Sequence, residues 1–371
     1  MITVKALKIL IAIMTVVVIG LAGGLVIKNL NTEKAPDANV TSKVVVTNED
    51  GEEEEITLTS INPLTGVDDL SAEALGKRPV AIMINNIKAA LPQYGIYDAD
   101  IMFEIPVEGG ITRMMALYAD HTRIPDVCSV RSCRYYFPIF AHGFDAVYFC
   151  FGSNQSLATP MLKQLGIDYF DGAVNYDQLV FGRDAERLQS YASEHTGYVK
   201  GANIPALLEK YSVRTDYKPE KNSPVFNFTN GTVEPVGITV CDKLSIKFSN
   251  SYFSTFLYNP ETETYFKYHS GQKHMDQKAG KQLEFTNLFV LQTTVSLHEN
   301  GPLMDVDWKG GTGFYASGGT ACRITWEKPT AESNIIIYDT EGNEITVNAG
   351  KSYFAVVNPK STSIRDLESI E

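Results

Sequence analysis

"EIPVEGGITRMMALY" (residues 104–118) sets two apolar runs on either side of a glycine pair. Read with its flanks, "ADIMFEI" before and "ITRMMALYA" after, it predicts two strands joined by a turn at Gly109 and Gly110. Glu104, Glu108 and Arg113 sit inside this apolar setting and are the first candidates for a working site. A glycosidase-type carboxyl pair needs separations of about 5–5.5 Å, or about 6.5–9.5 Å for inversion. On an extended strand the Cα atoms of Glu104 and Glu108 stand roughly 13 Å apart, at about 3.3 Å per residue. Pro106 and the two glycines oppose the helix that would bring them together. The spacing speaks against a catalytic pair.

Outward from this stretch, "RPVAIMI" (residues 78–84) is a run of strand formers ended by Asn85 and Asn86. "AVYFCFG" (residues 146–152) is apolar without alternation, as a strand buried on both faces requires. Helices are expected over residues 133–141, over "SLATPMLKQLG" with Gly166 as its C-terminal cap, and over "NIPALLEKY" with Asn203 near its start and Pro205 in its first turn. Strands interleaved with helices predict a mixed α/β domain over residues 61–215. A bridge over residues 216–235, with "DYKPEKNSPVFNF", leads to residues 236–358. There short alternating runs ("LSIKFS", "YFSTFLY", "ETYFKYH", "LFVLQTTVSL", "NIIIYD", "EITVNAG") are punctuated by "NPET", "ENGP" and "TEGN", predicting a mainly antiparallel β domain. Residues 359–371 form a tail. The class expected is α+β.

The N-terminus sets the location. Residues 9–27, "ILIAIMTVVVIGLAGGLVI", carry no charge and as a helix span roughly 28 Å, close to a bilayer's hydrocarbon thickness. Lys5 and Lys8 precede this run while Glu33 and Asp37 follow it, so residues 1–30 are expected to be a cytoplasmic tip and a single-pass transmembrane signal-anchor, with the bulk of the chain extracytoplasmic at the cell membrane. A cleaved signal peptide is the alternative. "LAGG" (residues 21–24) has the shape of a lipobox, with Gly24 where the lipidated cysteine would be. Residues 31–60, with "NEDGEEEE", are expected to be an acidic, disordered linker, because like charges repel and keep a chain extended.

Composition narrows the partners. A net charge of −12 argues against nucleic acid, whose phosphates need a basic face. Cys128, Cys133, Cys150, Cys241 and Cys322 are odd in number and scattered, fitting neither a disulfide framework nor paired zinc spacing. No Gly-x-Ser-x-Gly, Walker loop or His-Glu-x-x-His occurs, and no cofactor is expected.

Several local patterns coincide. "INPLTG", "RPVAIMINN", "PQYGIYDADIMFE", "VEGGITRMMALY" and "VRSCRYYF" in the first half resemble the YerB-like family of bacterial envelope lipoproteins. "YNPETETYFKY", "KHMDQKAGKQLEFTNLFV", "ITWEKP" and "YDTEGNEITVNAGKSYFAV" carry the same resemblance in the second, which covers about residues 61–357. It implies a two-domain extracytoplasmic module at the membrane surface, and no established activity.

A polar constellation follows. Glu108, the backbone N–H groups at Gly109 and Gly110, and Arg113 beyond the turn can converge at one sheet edge, where successive N–H groups cradle an anion. Arg131 and Arg134 in "VRSCRYY" add guanidinium forks suited to carboxylate or phosphate. Asn85 and Glu104 complete this candidate ligand-binding set with Arg183 and His195, which match the family pattern in "GRDAERLQSYASEHTGY". The plainer reading pairs Arg113, Arg131 and Arg134 with Glu104, Glu108 and Asp100 in salt bridges. His274 and Asp276 in "GQKHMD" are weak metal candidates. The function expected is a membrane-anchored binding or scaffold protein recognising an anionic envelope ligand or a partner protein. The alternative is an envelope hydrolase or transferase using His195 or Glu108 as general base.

Overall fold

Val80–Asn85 is buried at all six positions and Val147–Cys150 at all four, so these unalternating apolar runs lie in the middle of a sheet covered on both faces. The computed structural model describes residues 41–47 and 53–359, less residues 175, 219, 220, 222, 223 and 300. The sheet has 11 strands. Its order is Thr239–Val240, Thr320–Glu327, Gly310–Ser317, Asn287–Gln292, Ser352–Val357, Ile101–Pro106, Thr112–Tyr118, Val80–Asn85, Val147–Cys150 and Tyr169–Asp171, with Ile336–Tyr338 beside Thr320–Glu327. The two strands expected around the glycine turn are adjacent and antiparallel, from Ile101↔Leu117 to Pro106↔Thr112.

The seam between the two halves of the sequence runs through this sheet. Ser352–Val357 pairs in parallel with Ile101–Pro106, and Asn287–Gln292 pairs in parallel with Ser352–Val357. Both belong to the half expected to be mainly antiparallel. Their runs "LFVL" and "YFAVV" are apolar without alternation, the mark of strands buried on both faces. Register lines up Phe103, Phe354, Phe289 and Tyr315 across the seam. Their rings stack with centroids 4.9, 4.6 and 4.5 Å apart, contacts worth about 0.5–1.5 kcal/mol each beyond area burial. The antiparallel expectation holds for a second, five-stranded sheet that includes Lys243–Lys247, Phe253–Asn259, Thr264–His269 and Gln272–Lys273.

Helices are few. Tyr136–Gly143 begins later than expected, Ala158–Leu165 ends at Gly166 in the left-handed conformation (φ 62°), and Ile204–Lys210 has proline in its first turn. Asn203 does not cap that last helix through its side chain; its amide donates instead to Leu179 O (2.6 Å). Phe137, Phe140 and Phe144 pack on one face of the large sheet with Met83, Phe103, Met115 and Phe354. Against the other face, Leu244, Ile246, Phe256 and Tyr265 of the small sheet meet Ile84, Met102, Met114 and Tyr353.

The chain divides after Ser60 into two units. In the first, Thr41–Thr47 and Glu53–Thr59 form an antiparallel ladder, a departure from the disordered spacer expected there. The register runs from Thr41↔Thr59 to Thr47↔Glu53. The apolar run 9–27 lies outside the described residues, as does the tail from residue 360. Among the described residues no helix is long and apolar enough to cross a membrane.

Candidate functional site

Val80–Asn85, Ile101–Pro106, Val147–Cys150 and Tyr169–Asp171 all run the same way and end at one edge of the large sheet. Loops beyond the carboxyl ends of such strands are where ligands settle in open α/β sheets. Arg113 lies in the antiparallel strand between two of these ends, and register sets it between Asn85 and Ile105. Residues 129–133 cross the same edge as a strap. Asn85 N donates to Ser129 O (2.8 Å), Arg131 N to Met83 O (3.0 Å) and Cys133 N to Gly152 O (2.8 Å).

Three arginines meet here in three different states. Arg134 is neutralised: its Nε donates to Glu108 Oε2 at 2.9 Å and its Nη2 to Oε1, a bidentate fork. Arg131, with its side chain 27% exposed, meets Glu194 loosely, Nη2 to Oε2 at 3.5 Å. Arg113 is buried, donates through Nη1 to Ser132 O (2.7 Å), and forms no ion pair among the described residues. Burial and the neighbouring charge of Arg131 pull its guanidinium down to about 10. The plainer pairing scheme therefore holds for Arg134 and Glu108 alone. Asp100 accepts instead from Asn62 Nδ2 (2.9 Å) and Ala119 N (2.7 Å).

His195 joins the cluster through Asn85, whose Nδ2 donates to Nδ1 at 3.1 Å; Nε2 lies 3.6 Å from Glu194 Oε1. Burial lowers its pKa, with Arg131 and Arg187 adding to the effect and Glu194 opposing it, so the imidazole is held towards its neutral form. Asn85 engages Nδ1 of His195, and Arg134 donates one hydrogen bond to each oxygen of Glu108, which keeps further lone pairs on a partly exposed carboxylate. Arg183 sits beside the strap, 4.4 Å over the Phe151 ring, and donates to Ser193 O (2.5 Å). Gly109 (φ 75°) and Gly110 (φ 71°) form the turn from which Glu108 projects, a left-handed pair that side chains with a Cβ resist.

Glu104 lies elsewhere, fully buried on the opposite face. Lys267 Nζ stands 3.1 Å from its Oε2, which also accepts from Tyr353 OH (2.7 Å) and Ser254 Oγ (3.0 Å). Oε1 accepts from Thr112 Oγ1 (2.7 Å) and Asn86 Nδ2 (3.0 Å). Burial pushes this carboxyl up, but the Lys267 ammonium and the Tyr353 and Thr112 hydroxyls overcome it and hold it below the usual range. It is a structural anion. His274 and Asp276 belong to this interior too: His274 Nε2 meets Gln93 Oε1 (3.0 Å), and Asp276 accepts from the backbone N–H groups of Ile96 (2.7 Å), Tyr97 (2.9 Å), Lys278 (3.0 Å) and Ala279 (3.0 Å). That carboxylate anchors loops, and no group of three metal-binding side chains occurs among the described residues. None of the five cysteines forms a disulfide among the described residues, and burial pushes Cys128 and Cys133 up to about 11 and about 12, away from thiolate chemistry.

Residues 64–214 match the family model described as protein of unknown function (DUF3048) N-terminal domain, and residues 244–354 match the DUF3048 C-terminal domain. The chain belongs to the DUF3048 family. It is 25% identical over 298 residues to the Bacillus subtilis (strain 168) protein named "Putative lipoprotein YerB", covering 80% of this chain and 85% of that one. A crystal structure of YerB from Bacillus subtilis superposes with a TM-score of 0.70 at 24% identity, over 81% of this chain and 98% of that one. The two matched segments of this DUF3048 chain are the two halves that meet at the seam, so domains distinct in sequence share one sheet.

Sequence reasoning missed Gln93, Lys267, Ser254 and Tyr353. Lys267 was within reach: in "TYFKYH" the alternation that buries Tyr265 and His269 buries Lys267 as well. Ser132 carried no such signal, since its part in the cluster is its backbone carbonyl.

Proposed function

We propose that this protein is a membrane-anchored, extracytoplasmic binding module whose strand-edge cluster of Arg113, Arg131, Asn85 and His195 receives a carboxylate or phosphate group of an envelope ligand or partner protein. The observation that carries this reading is Arg113: a buried guanidinium beside a second arginine, with a carbonyl but, among the described residues, no carboxylate to meet it. A buried charge left without a counter-ion is costly to hold, and a bound anion removes that cost. The apolar run 9–27 and the word lipoprotein in the name of the Bacillus subtilis relative support the location.

The test is thermal unfolding of the full-length protein in neutral detergent, in phosphate against chloride at matched ionic strength. Phosphate at ten times its Kd is expected to add about 1.4 kcal/mol of stability, and Arg131→Ala is expected to abolish that gain while unfolding as cooperatively as the parent. A cooperatively unfolding Arg131→Ala that keeps the full phosphate effect would overturn the reading.

A further inference from the structure

Alternation along the small sheet turns Leu244, Ile246, Phe256, Tyr265 and Lys267 inward and leaves a second set facing out. Register arranges the outward set in rows. Lys247 stands opposite Phe253; Ser245, Thr255, Tyr268 and Lys273 lie side by side; Lys243, Leu257 and Phe266 form the third row. Aromatic and aliphatic side chains thus occupy the middle, with lysines at both margins. A groove of ≈640 Å³ opens over this face, lined by Lys243, Lys247, Phe253, Leu257 and Tyr268 among others, with no acidic side chain in its wall. Among the described residues, Lys243, Lys247 and Lys273 make no ion pair, although the chain carries a net charge of −12. Lysines on edge strands do guard them against unwanted pairing, and Lys273 on the opposite edge strand fits that role too, but it leaves the aromatic floor between them unexplained.

We propose that this outward face is a second binding site, and that its ligand is an anionic polysaccharide. A pyranose ring offers a C–H face to an aromatic floor, hydroxyls at its rim for Ser245, Thr255 and Tyr268, and acidic substituents for lysine ammonium groups. Lys243 and Lys247 stand roughly 13 Å apart along their strand, at about 3.3 Å per residue, which spreads the positive charge along an extended chain. Other occupants fit less well. A stable protein interface takes about 800 Å² from each partner with a large apolar centre, whereas this floor is a few side chains wide. Nucleic acid binding draws on many phosphate contacts, which three lysines on an acidic body do not supply. A recessed floor does not reach into a bilayer.

The experiment measures binding of the full-length protein, in neutral detergent, to polygalacturonate, with dextran, an oligothymidylate and phosphatidylglycerol vesicles as comparators. Binding to polygalacturonate above all three is expected. The double variant Lys243→Glu/Lys247→Glu should weaken it at least tenfold at low salt, and Tyr268→Ala at least threefold at any salt. The proposal is overturned if polygalacturonate does not bind, if the oligothymidylate or the vesicles bind more tightly, or if the lysine variant binds as the parent does. It stands apart from the strand-edge reading, because phosphate stabilisation depends on Arg131 and polysaccharide binding on this face does not.

Discussion

Glu104 and Arg113 occupy neighbouring strands of one sheet, and both are buried charges, yet their surroundings are opposites. Glu104 is closed on every side: an ammonium, three hydroxyls and an amide meet its two oxygens. Arg113 meets one backbone carbonyl and a second arginine. A charge with its complement supplied from within holds the fold together; one left without it is what the proposed anion site rests on. That contrast separates the structural interior, where the small sheet docks on the large one, from the candidate site at the strand ends.

The strongest way to break the comparison is to remove one member of the closed pair. Glu104→Ala should cost about 3–5 kcal/mol in urea unfolding, because it strands the Lys267 ammonium in the core. Replacing both together, Glu104→Leu with Lys267→Met, should recover most of that loss. A cost of under about 1 kcal/mol for the single change would mean the interior does not depend on this pair.

Acid titration tests the same interior more gently. His269 and His274 are buried beside Lys267; burial pushes His269 down to about 4 and His274 well below its ordinary value. Neither ring nitrogen of His269 has a hydrogen-bond partner among the described residues. Both rings are therefore neutral in the folded protein, while unfolded histidine takes up a proton near pH 6.5. The unfolded state binds more protons in this window, so stability is complete above about pH 6.5 and falls as pH drops towards 4, by up to ~1.4 kcal/mol per pH unit for each histidine. Glu104, held below its usual range, loses its own contribution as the pH falls below about 4.3, the unfolded glutamate value. Urea midpoints at pH 7, 6 and 5 should fall less steeply for His269→Phe than for the parent, and equal slopes would contradict this assignment.

The smallest expected effect sharpens the contrast from the other side. Arg113→Met should leave stability unchanged or raise it by about 1 kcal/mol, since it removes an uncompensated charge from the interior. The variant should at the same time lose stabilisation by phosphate. A loss of several kcal/mol would place Arg113 with Glu104 among the structural charges.

Much of this was legible in the sequence. The glycine turn and its flanking strands follow from Gly109 and Gly110 needing positive φ, and the buried central strands from unalternating apolar runs. The gathering of Arg113, Arg131 and Arg134 near the glycine turn could be expected because the turn and the strand ends lie close in sequence, whereas the approach of His195 to Asn85, 110 residues away in the chain, could not. The seam was not. Parallel pairing of Ser352–Val357 with Ile101–Pro106 joins segments far apart in the chain, and nothing local in either specifies its partner. Glu104 was misplaced for a related reason: strand alternation puts it and Arg113 on opposite faces, but only the distant Lys267, Ser254 and Tyr353 decide that its face is closed. The hairpin over residues 41–59 was not expected because the run of acids suggests a repelling, extended chain.

The most direct test of the central claim is anomalous diffraction from crystals of this protein soaked in selenate. An anomalous peak within hydrogen-bond reach of both the Arg113 and Arg131 guanidinium groups is the predicted result. Selenate bound elsewhere, with Arg113 closed off by the protein's own carbonyl oxygens, would contradict it.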